Sequence, residues 1–555
     1  MNLIYGKGFF LRKNLKVLDD ICLLSKNEIS KQVIESKKNT FVQFVPFEFG
    51  EVLLELSKLP KFKNILVRGE IYNQECYQSK LYFAIKTLIE KGDFSKFSEF
   101  EGDYSFAIET QDNLWIINSQ CSQYEIFWRF DNEEILASNY HYYLTNKKNI
   151  NDKSLSLLCY GENVNIYDNI NILKRNSVVN INYKDKKCYI KNNFVKCKNI
   201  FNQNTGIDEI GETVHMELVN SVKQKTSDKG KCALMLSGGI DSGAIARCLY
   251  ECNADAVFYT WSSSNKNVSE YQYSHKVAQK FGYEIVEIVL DEFPNNYSVC
   301  KNQSNKYPHT KSVSPWWEIA FEQAYKDNVK FFFSGHHGSI LGQEKKMKQQ
   351  SGLWHDYNLL SFIENHIKRN FSSIIPTQKN DRHIPRGCDI FSPQIKDIIS
   401  KECVFRTFSR MSTDHYSYFI NFCEKYNIYF EDAYLNSKIL DIAFSLPQKY
   451  TSKEYGGFLI NKIPLRYSMI NKLPHEIVSR CYAANLDYIS SKVFNDNYKS
   501  ILGSFDTNSE LVKRNIVDLS NVKLLLKSND SFLLGKNQDS ICIAYMIEEW
   551  LNRQV

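Results

Sequence analysis

No apolar run in this 555-residue chain approaches the length of a membrane span. Met1 to Lys16 lacks an uninterrupted apolar core followed by small residues, so it does not read as a secretory signal. The 15 cysteines include no C-x-x-C pair, which leaves zinc-ribbon and dithiol redox readings without support. Many of them (Cys22, Cys159, Cys232, Cys248, Cys542) sit in apolar segments as reduced core thiols would, and a cytoplasmic location is expected. A large charge of one sign is also missing. The formal net charge of +6 is small for this length and predicts neither a nucleic-acid partner nor a membrane surface.

What is present is a globular composition, 43% hydrophobic and 14% aromatic, in a chain too long for one ordinary core. Two or more domains are expected. The most informative stretch is Cys232-Ala-Leu-Met-Leu-Ser-Gly-Gly-Ile-Asp-Ser242. Cys232 to Leu236 reads as a strand buried on both faces. Ser237-Gly238-Gly239 permits a tight turn with close backbone approach, and Asp241 and Ser242 open a helix-forming segment. Strand, glycine turn and helix N-terminus together make an anion cradle, with amide donors and the positive end of the helix dipole facing a phosphate. The spacing is neither G-x-x-x-x-G-K-[ST] nor G-x-G-x-x-G. It resembles the S-G-G-x-D-S loop of the PP-loop ATP pyrophosphatases, which cleave ATP between the α- and β-phosphates and adenylate a substrate.

Residues 1–200 read as strand-rich, with Tyr104 to Glu109 and Leu114 to Asn118 as a hairpin, Glu134 to Ser138 as a further strand and Leu81 to Glu90 as a helix. Gly69-Glu-Ile-Tyr-Asn73, Glu101-Gly-Asp-Tyr-Ser-Phe-Ala-Ile108 and Leu136-Ala-Ser138 occur in the order found in asparagine synthetase glutaminase domains, which this region resembles. The departures are functional. That family uses the thiol of an N-terminal cysteine, whereas this chain begins Met1-Asn2-Leu3. Its usual Arg-Asp pair reads Asn118-Ser119, and its glutamine-gripping stretch is unrecognisable between Thr40 and Lys63. The resemblance therefore implies a glutaminase fold without glutaminase activity.

After a polar connector at 196–206, Ile207, Ile210, Val214, Leu218 and Val222 recur at helical spacing. Beyond the glycine turn, strands at Ala256 to Thr260, Ile285 to Leu290 and Val329 to Phe333 alternate with helices at 270–281 and 316–326, the pattern of a doubly wound parallel sheet. Ligands in such sheets bind beyond the strand carboxyl ends, where Ser237, Thr260 and Ser334 are expected. Ser334-Gly-His-His-Gly-Ser-Ile-Leu-Gly-Gln343 resembles the family's Ser/Thr-Gly-x-G-x-D-E-x-x-G run, with Ser339 at the place of its metal-holding aspartate. His336 and His337 could contact phosphate oxygens or could simply be packed in a sharp turn. The region from Leu353 on reads as helical, and Asp432 to Asn436, Ile439 to Pro447, Lys462 to Arg466 and Leu473 to Arg480 follow the family's order. The family's lysine two residues after Arg480 is Tyr482 here, and the next lysine is Lys492.

The expected fold is an α+β N-terminal Ntn-hydrolase-like sandwich (1–200) followed by an α/β doubly wound parallel-sheet PP-loop synthetase domain with a helical C-terminal part (207–555). The resemblance implies ATP and Mg²⁺ as cofactors, with Leu236, Ser237, Gly238, Gly239, Asp241, Ser242, Thr260, Ser334, Gly335 and His336 binding ATP or pyrophosphate. It implies Asp241 and Ser339 at the metal, and Asp241, Arg480 and Lys492 in catalysis. The leading functional expectation is a carboxylate-adenylating amide ligase similar to the lasso-peptide cyclases, joining a peptide's N-terminal amine to an Asp or Glu side chain. A partner protease or leader-binding protein would accompany such an enzyme. Two alternatives stand beside it: an asparagine- or β-lactam-synthetase-like enzyme acting on a small carboxylate, and an ATP-binding scaffold without catalysis.

Overall fold

A computed structural model describes residues 10–14, 58–71, 77–123, 125–130, 134–138, 144, 150–159, 166–173, 175–192, 200–226, 230–263, 270–290, 316–342, 419, 422–423, 425–447, 450, 452–455, 458–480, 487–528 and 531–553. The chain forms two compact units. The first comprises Met1–Asn151, Asn165–Lys196 and Cys388–Gln394; the second comprises Asp152–Val164, Cys197–Gly387 and Ile395–Val555.

In the first unit the strands are β1 (Phe10–Asn14), β2 (Phe62–Ile71), β3 (Gly102–Thr110), β4 (Asn113–Asn118), β5 (Ile126–Phe130), β6 (Glu134–Ser138), β7 (Asn171–Leu173), β8 (Ser177–Asn182) and β9 (Lys187–Asn192). They make two antiparallel sheets, ordered β1-β6-β5-β7 and β2-β3-β4-β8-β9. The expected hairpin is there, with Ser105 opposite Asn118. Strand alternation explains the layering. Ala107, Leu114, Ile116, Val179 and Ile181 of one sheet meet Ile126, Trp128, Ile135, Ala137 and Leu173 of the other in one apolar cluster. The opposite face, with Tyr104, Phe106, Ile108 and Ile117, buries Leu81, Ala84, Ile85 and Leu88 of helix α1 (Tyr77–Lys91).

The second unit includes helix α2 (Asp152–Cys159) and is built on a five-stranded parallel sheet. Its strands are β10 (Cys232–Met235), β11 (Ala256–Ser262), β12 (Glu284–Val289), β13 (Phe331–Ser334) and β14 (Tyr429–Glu431), in the order β12-β11-β10-β13-β14. Helix α3 (Ile207–Thr226) buries Ile210, Val214, Leu218 and Val222, the spacing read from the sequence. Helices α4 (Ile240–Glu251), α5 (Tyr271–Phe281) and α6 (Trp316–Lys326) connect the strands. The strand order reverses between β10 and β13, so the crevice beyond their carboxyl ends is the switch point where such sheets take ligands.

The C-terminal part departs from the all-helical expectation. It supplies β14 to the sheet edge and an antiparallel pair, β15 (Ser452–Tyr455) with β16 (Phe458–Asn461). Its helices include α7 (Ser437–Ser445), α8 (Ile463–Ser468), α9 (His475–Ser479), α10 (Asp487–Gly503), α11 (Glu510–Lys513), α12 (Leu519–Ser528) and α13 (Ser531–Arg553). The Glu548 carboxylate of α13 accepts the Glu510 and Leu511 amides at 2.8 Å each, capping α11.

Candidate phosphate site

The glycine turn is fixed by close packing. Gly238 has φ +66°, and a Cβ there would lie 2.5 Å from Tyr273 Cβ, so no other residue fits without movement. Ser242 Oγ accepts from the Ser237 amide at 3.1 Å and lies 3.1 Å from Ser237 Oγ, closing the turn from inside. Gly239 is the N-cap of α4 and no side chain caps it, so the first amides of the helix keep their donor capacity. Leu236 is buried at the strand end, its amide donating to the Tyr259 carbonyl at 2.8 Å.

The Ser334–Gly338 turn folds onto this cradle. A Cβ at Gly335 would stand 2.9 Å from the Ser242 amide nitrogen, and one at Gly338 would stand 2.5 Å from both Asp241 Cγ and Oδ1. Asp241 is thus gripped between the two turns. Its Oδ2 pairs with Lys462 Nζ at 2.5 Å, and both side chains are largely shielded, with 23% and 15% exposed. Its Oδ1 is buried and accepts no hydrogen bond from the described residues. A carboxylate oxygen left in that state costs stability unless a ligand uses it. Among the described residues no three His, Cys, Asp or Glu side chains converge into a protein-only metal cage. One carboxylate completed by phosphate oxygens and waters is how Mg²⁺ is commonly held, so the donor set fits an ion that arrives with a nucleotide. Ser339 is half-buried in the short turn Gly338–Leu341, one residue beyond the Gly338 that abuts the Asp241 carboxylate.

Arg480 follows α9 and lies behind the cradle. It pairs with Glu270, donates to the Gly238 carbonyl at 3.2 Å, and stacks on the Tyr273 ring with its guanidinium carbon 3.9 Å from the centroid. Both members of the pair are buried, so Arg480 braces the turn from beneath. Thr260 lies inside β11, which continues to Ser262; it is fully buried and its hydroxyl donates to the Trp261 carbonyl at 3.5 Å. The His336 ring bonds Ser334 Oγ and packs near Trp317, Phe419 and Phe430, with centroids 5.6–6.0 Å away. That is the packed-histidine arrangement. Lys492 falls on α10, and its side chain lies outside the described residues, as does Tyr482.

Lys462 was not singled out from sequence, and His337 was, but without its partner. Lys462 sits at φ +53° immediately before α8, where Pro464 in the first helical turn starts a new direction. His337, also left-handed at φ +62°, pairs through Nδ1 with buried Asp432. A lysine directly before an I-P-L-R helix start was the available signal for Lys462; the doubled histidine drew attention to His337, and nothing local pointed to Asp432.

Residues 213–338 match the family model described as asparagine synthase. That segment is similar to asparagine synthase. The match begins within α3, takes in the glycine turn, Asp241 and the turn through Gly338, and stops before Lys462 and Arg480. Comparison with curated proteins returns no match. Among solved structures, the U34-tRNA thiolase of Methanococcus maripaludis with its [4Fe-4S] cluster aligns at 12% identity and TM-score 0.22, covering 60% of this chain and 88% of that one. The glutamine phosphoribosylpyrophosphate amidotransferase from B. subtilis, complexed with ADP and GMP, aligns at 9% identity and TM-score 0.20, covering 60% and 69%. Scores this low carry nothing about this chain's chemistry. Among the described residues no helix is long and apolar enough to cross a membrane.

Proposed function

We propose that the asparagine-synthase domain adenylates a carboxylate and passes it to an amine of the same substrate, as in lasso-peptide macrolactam formation. The observation that carries the adenylation is Asp241: one carboxylate oxygen paired with Lys462 at 2.5 Å, the other buried and unpartnered, directly at an uncapped helix N-terminus. The amides at the uncapped head of α4 would hold the β- and γ-phosphates. Asp241 would hold Mg²⁺, which supplies charge neutralisation on the phosphate oxygens when bound.

The substrate carboxylate attacks the α-phosphorus, forming the acyl–O–P bond as the bond to the pyrophosphate oxygen breaks. Lys462, already on the site's floor, offsets the negative charge that gathers on the leaving pyrophosphate. The amine then attacks the acyl carbon, AMP leaves, and the amine proton passes to solvent. A folded peptide holding both groups supplies the effective concentration that makes the second step fast.

For the first unit we propose no glutaminase activity. At the positions of the family's Arg-Asp pair, Asn118 Oδ1 accepts from Ser105 Oγ at 3.0 Å. Ser119 Oγ accepts from the Tyr104 amide and donates to the Gly102 carbonyl, each at 3.1 Å. These side chains are spent on strand contacts.

The test is incubation of the full chain with ATP, Mg²⁺ and a peptide carrying a free N-terminal amine and an internal Asp or Glu. A product lighter by one water, with AMP in equal amount, supports the reading. AMP formed with free aspartate and ammonia instead supports the small-molecule alternative. No AMP with any carboxylate, from demonstrably folded protein, supports the scaffold.

A further inference from the structure

Asp241 is held at both ends by residues that converge on one buried carboxylate. At its backbone end, the Asp241 carbonyl accepts the Tyr434 hydroxyl at 2.8 Å. At its side-chain end, the carboxyl group abuts Gly338, where even a methyl group would collide. Tyr434 and Gly338 are tied together through Asp432, which is fully buried. Asp432 Oδ1 accepts the Tyr434 amide at 2.9 Å, and Oδ2 pairs with Nδ1 of His337, the residue before Gly338. The circuit closes: Asp241, Tyr434, Asp432, His337, Gly338, Asp241.

The choice of residue at 337 is informative. With φ +62°, this is a position where glycine or asparagine serves more cheaply than histidine. The imidazole is retained at a left-handed position and is used to reach Asp432, so the side chain, beyond the backbone shape, is doing the holding. The Ile340 amide donates to the His337 carbonyl at 2.9 Å, which carries the same restraint into the turn holding Ser339.

We infer that His337 is a positioning residue: with Asp432 and Tyr434 it brackets Asp241 and sets the carboxylate that Lys462 engages. The bracket itself is independent of substrate identity; only its consequence for nucleotide binding rests on the phosphate-site reading.

The test reads the Asp241–Lys462 pair directly, by acylating surface amines of the full chain and quantifying Lys462 modification by peptide mass spectrometry. His337→Gly keeps the backbone shape and removes the arm. It should raise Lys462 labelling about fivefold, the factor lost with one modest polar contact, toward the level of Asp241→Asn. His337→Asn tolerates the left-handed conformation and can still donate to Asp432, and should return labelling to within about twofold of native. In parallel, ATP binding by calorimetry should weaken about tenfold in the glycine variant and recover in the asparagine variant, a coupling of the size seen between contacting residues.

Native labelling in His337→Gly overturns the inference, and so does an equal rise in the glycine and asparagine variants. If no form binds ATP but the labelling pattern holds, the phosphate-site reading falls and the bracket stands. If His337→Gly does not fold, Tyr434→Phe, which deletes the other arm without changing shape, decides: raised labelling supports the bracket and native labelling overturns it.

Discussion

Replacing Gly338 by alanine adds one methyl group against the Asp241 carboxylate. The new Cβ would stand 2.5 Å from Asp241 Cγ and Oδ1, where ordinary contact begins at 3.4 Å. The shortfall is 3.4 − 2.5, about 0.9 Å, and it must be met by moving the carboxylate, the turn, or both. The backbone conformation is no obstacle, because Gly338 is not among the residues with positive φ. Overpacking of this kind costs about 1–3 kcal/mol of stability. A misplacement of about 1 Å in a reacting constellation costs on the order of 10²-fold in rate. Gly338→Ala should therefore stay folded, with its thermal midpoint lowered by a few degrees, while pyrophosphate exchange into ATP falls about a hundredfold. Gly206→Ala, at a site with nothing within 4 Å of the new Cβ, is the matched control and should leave exchange unchanged. Native exchange in Gly338→Ala would refute the claim that this turn sets Asp241.

Three further outcomes concern residues away from the phosphate site. Lys225 and Glu431 form a buried pair at 3.5 Å joining α3 to β14, so Lys225→Met should cost about 3–5 kcal/mol in chemical denaturation. The double variant Lys225→Met/Glu431→Leu should recover much of that loss, and additivity would contradict the pairing. Burial pushes the Cys232 thiol up to about 12 and the Cys248 thiol well above its ordinary value, whereas Cys188 is exposed. Iodoacetamide at neutral pH should label Cys188 and spare both buried thiols. Burial also holds the His215 imidazole below its ordinary value, with Lys472 and Arg247 adding to the effect and Glu251 opposing it. The folded chain then binds that proton less readily than the unfolded chain, so stability is present above about pH 6.5 and falls as acid carries the pH down through the folded value. His215→Gln should flatten that fall in a thermal series, and an unchanged slope would contradict it.

The cradle was legible because everything that makes it is local. Apolar strand, glycine turn and helix start lie within Cys232–Glu251, and the structure builds them in that order. The alternation of strands and helices through Phe333 was legible for the same reason. β14 was not. It is three residues long, pairs in parallel with β13 across about a hundred intervening residues, and has no periodicity of its own. Lys462 was hidden likewise: it is 221 residues from Asp241, in a segment whose visible signals were a proline and an amphipathic helix. The Asp432–His337 contact spans 95 residues and joins two segments read separately. Arg480 was visible as a cation, but only the fold shows it beneath the turn, paired with Glu270 and stacked on Tyr273.

The central claim is that Asp241, at the head of α4, belongs to a working pyrophosphate site of the asparagine synthase type. Exchange of labelled pyrophosphate into ATP in the presence of a carboxylate substrate measures that site and nothing downstream of it. The native chain should exchange, Asp241→Asn should lose exchange while keeping its fold, and Lys462→Met should lose about 10²–10³-fold. Exchange that persists at the native rate in Asp241→Asn would contradict the account.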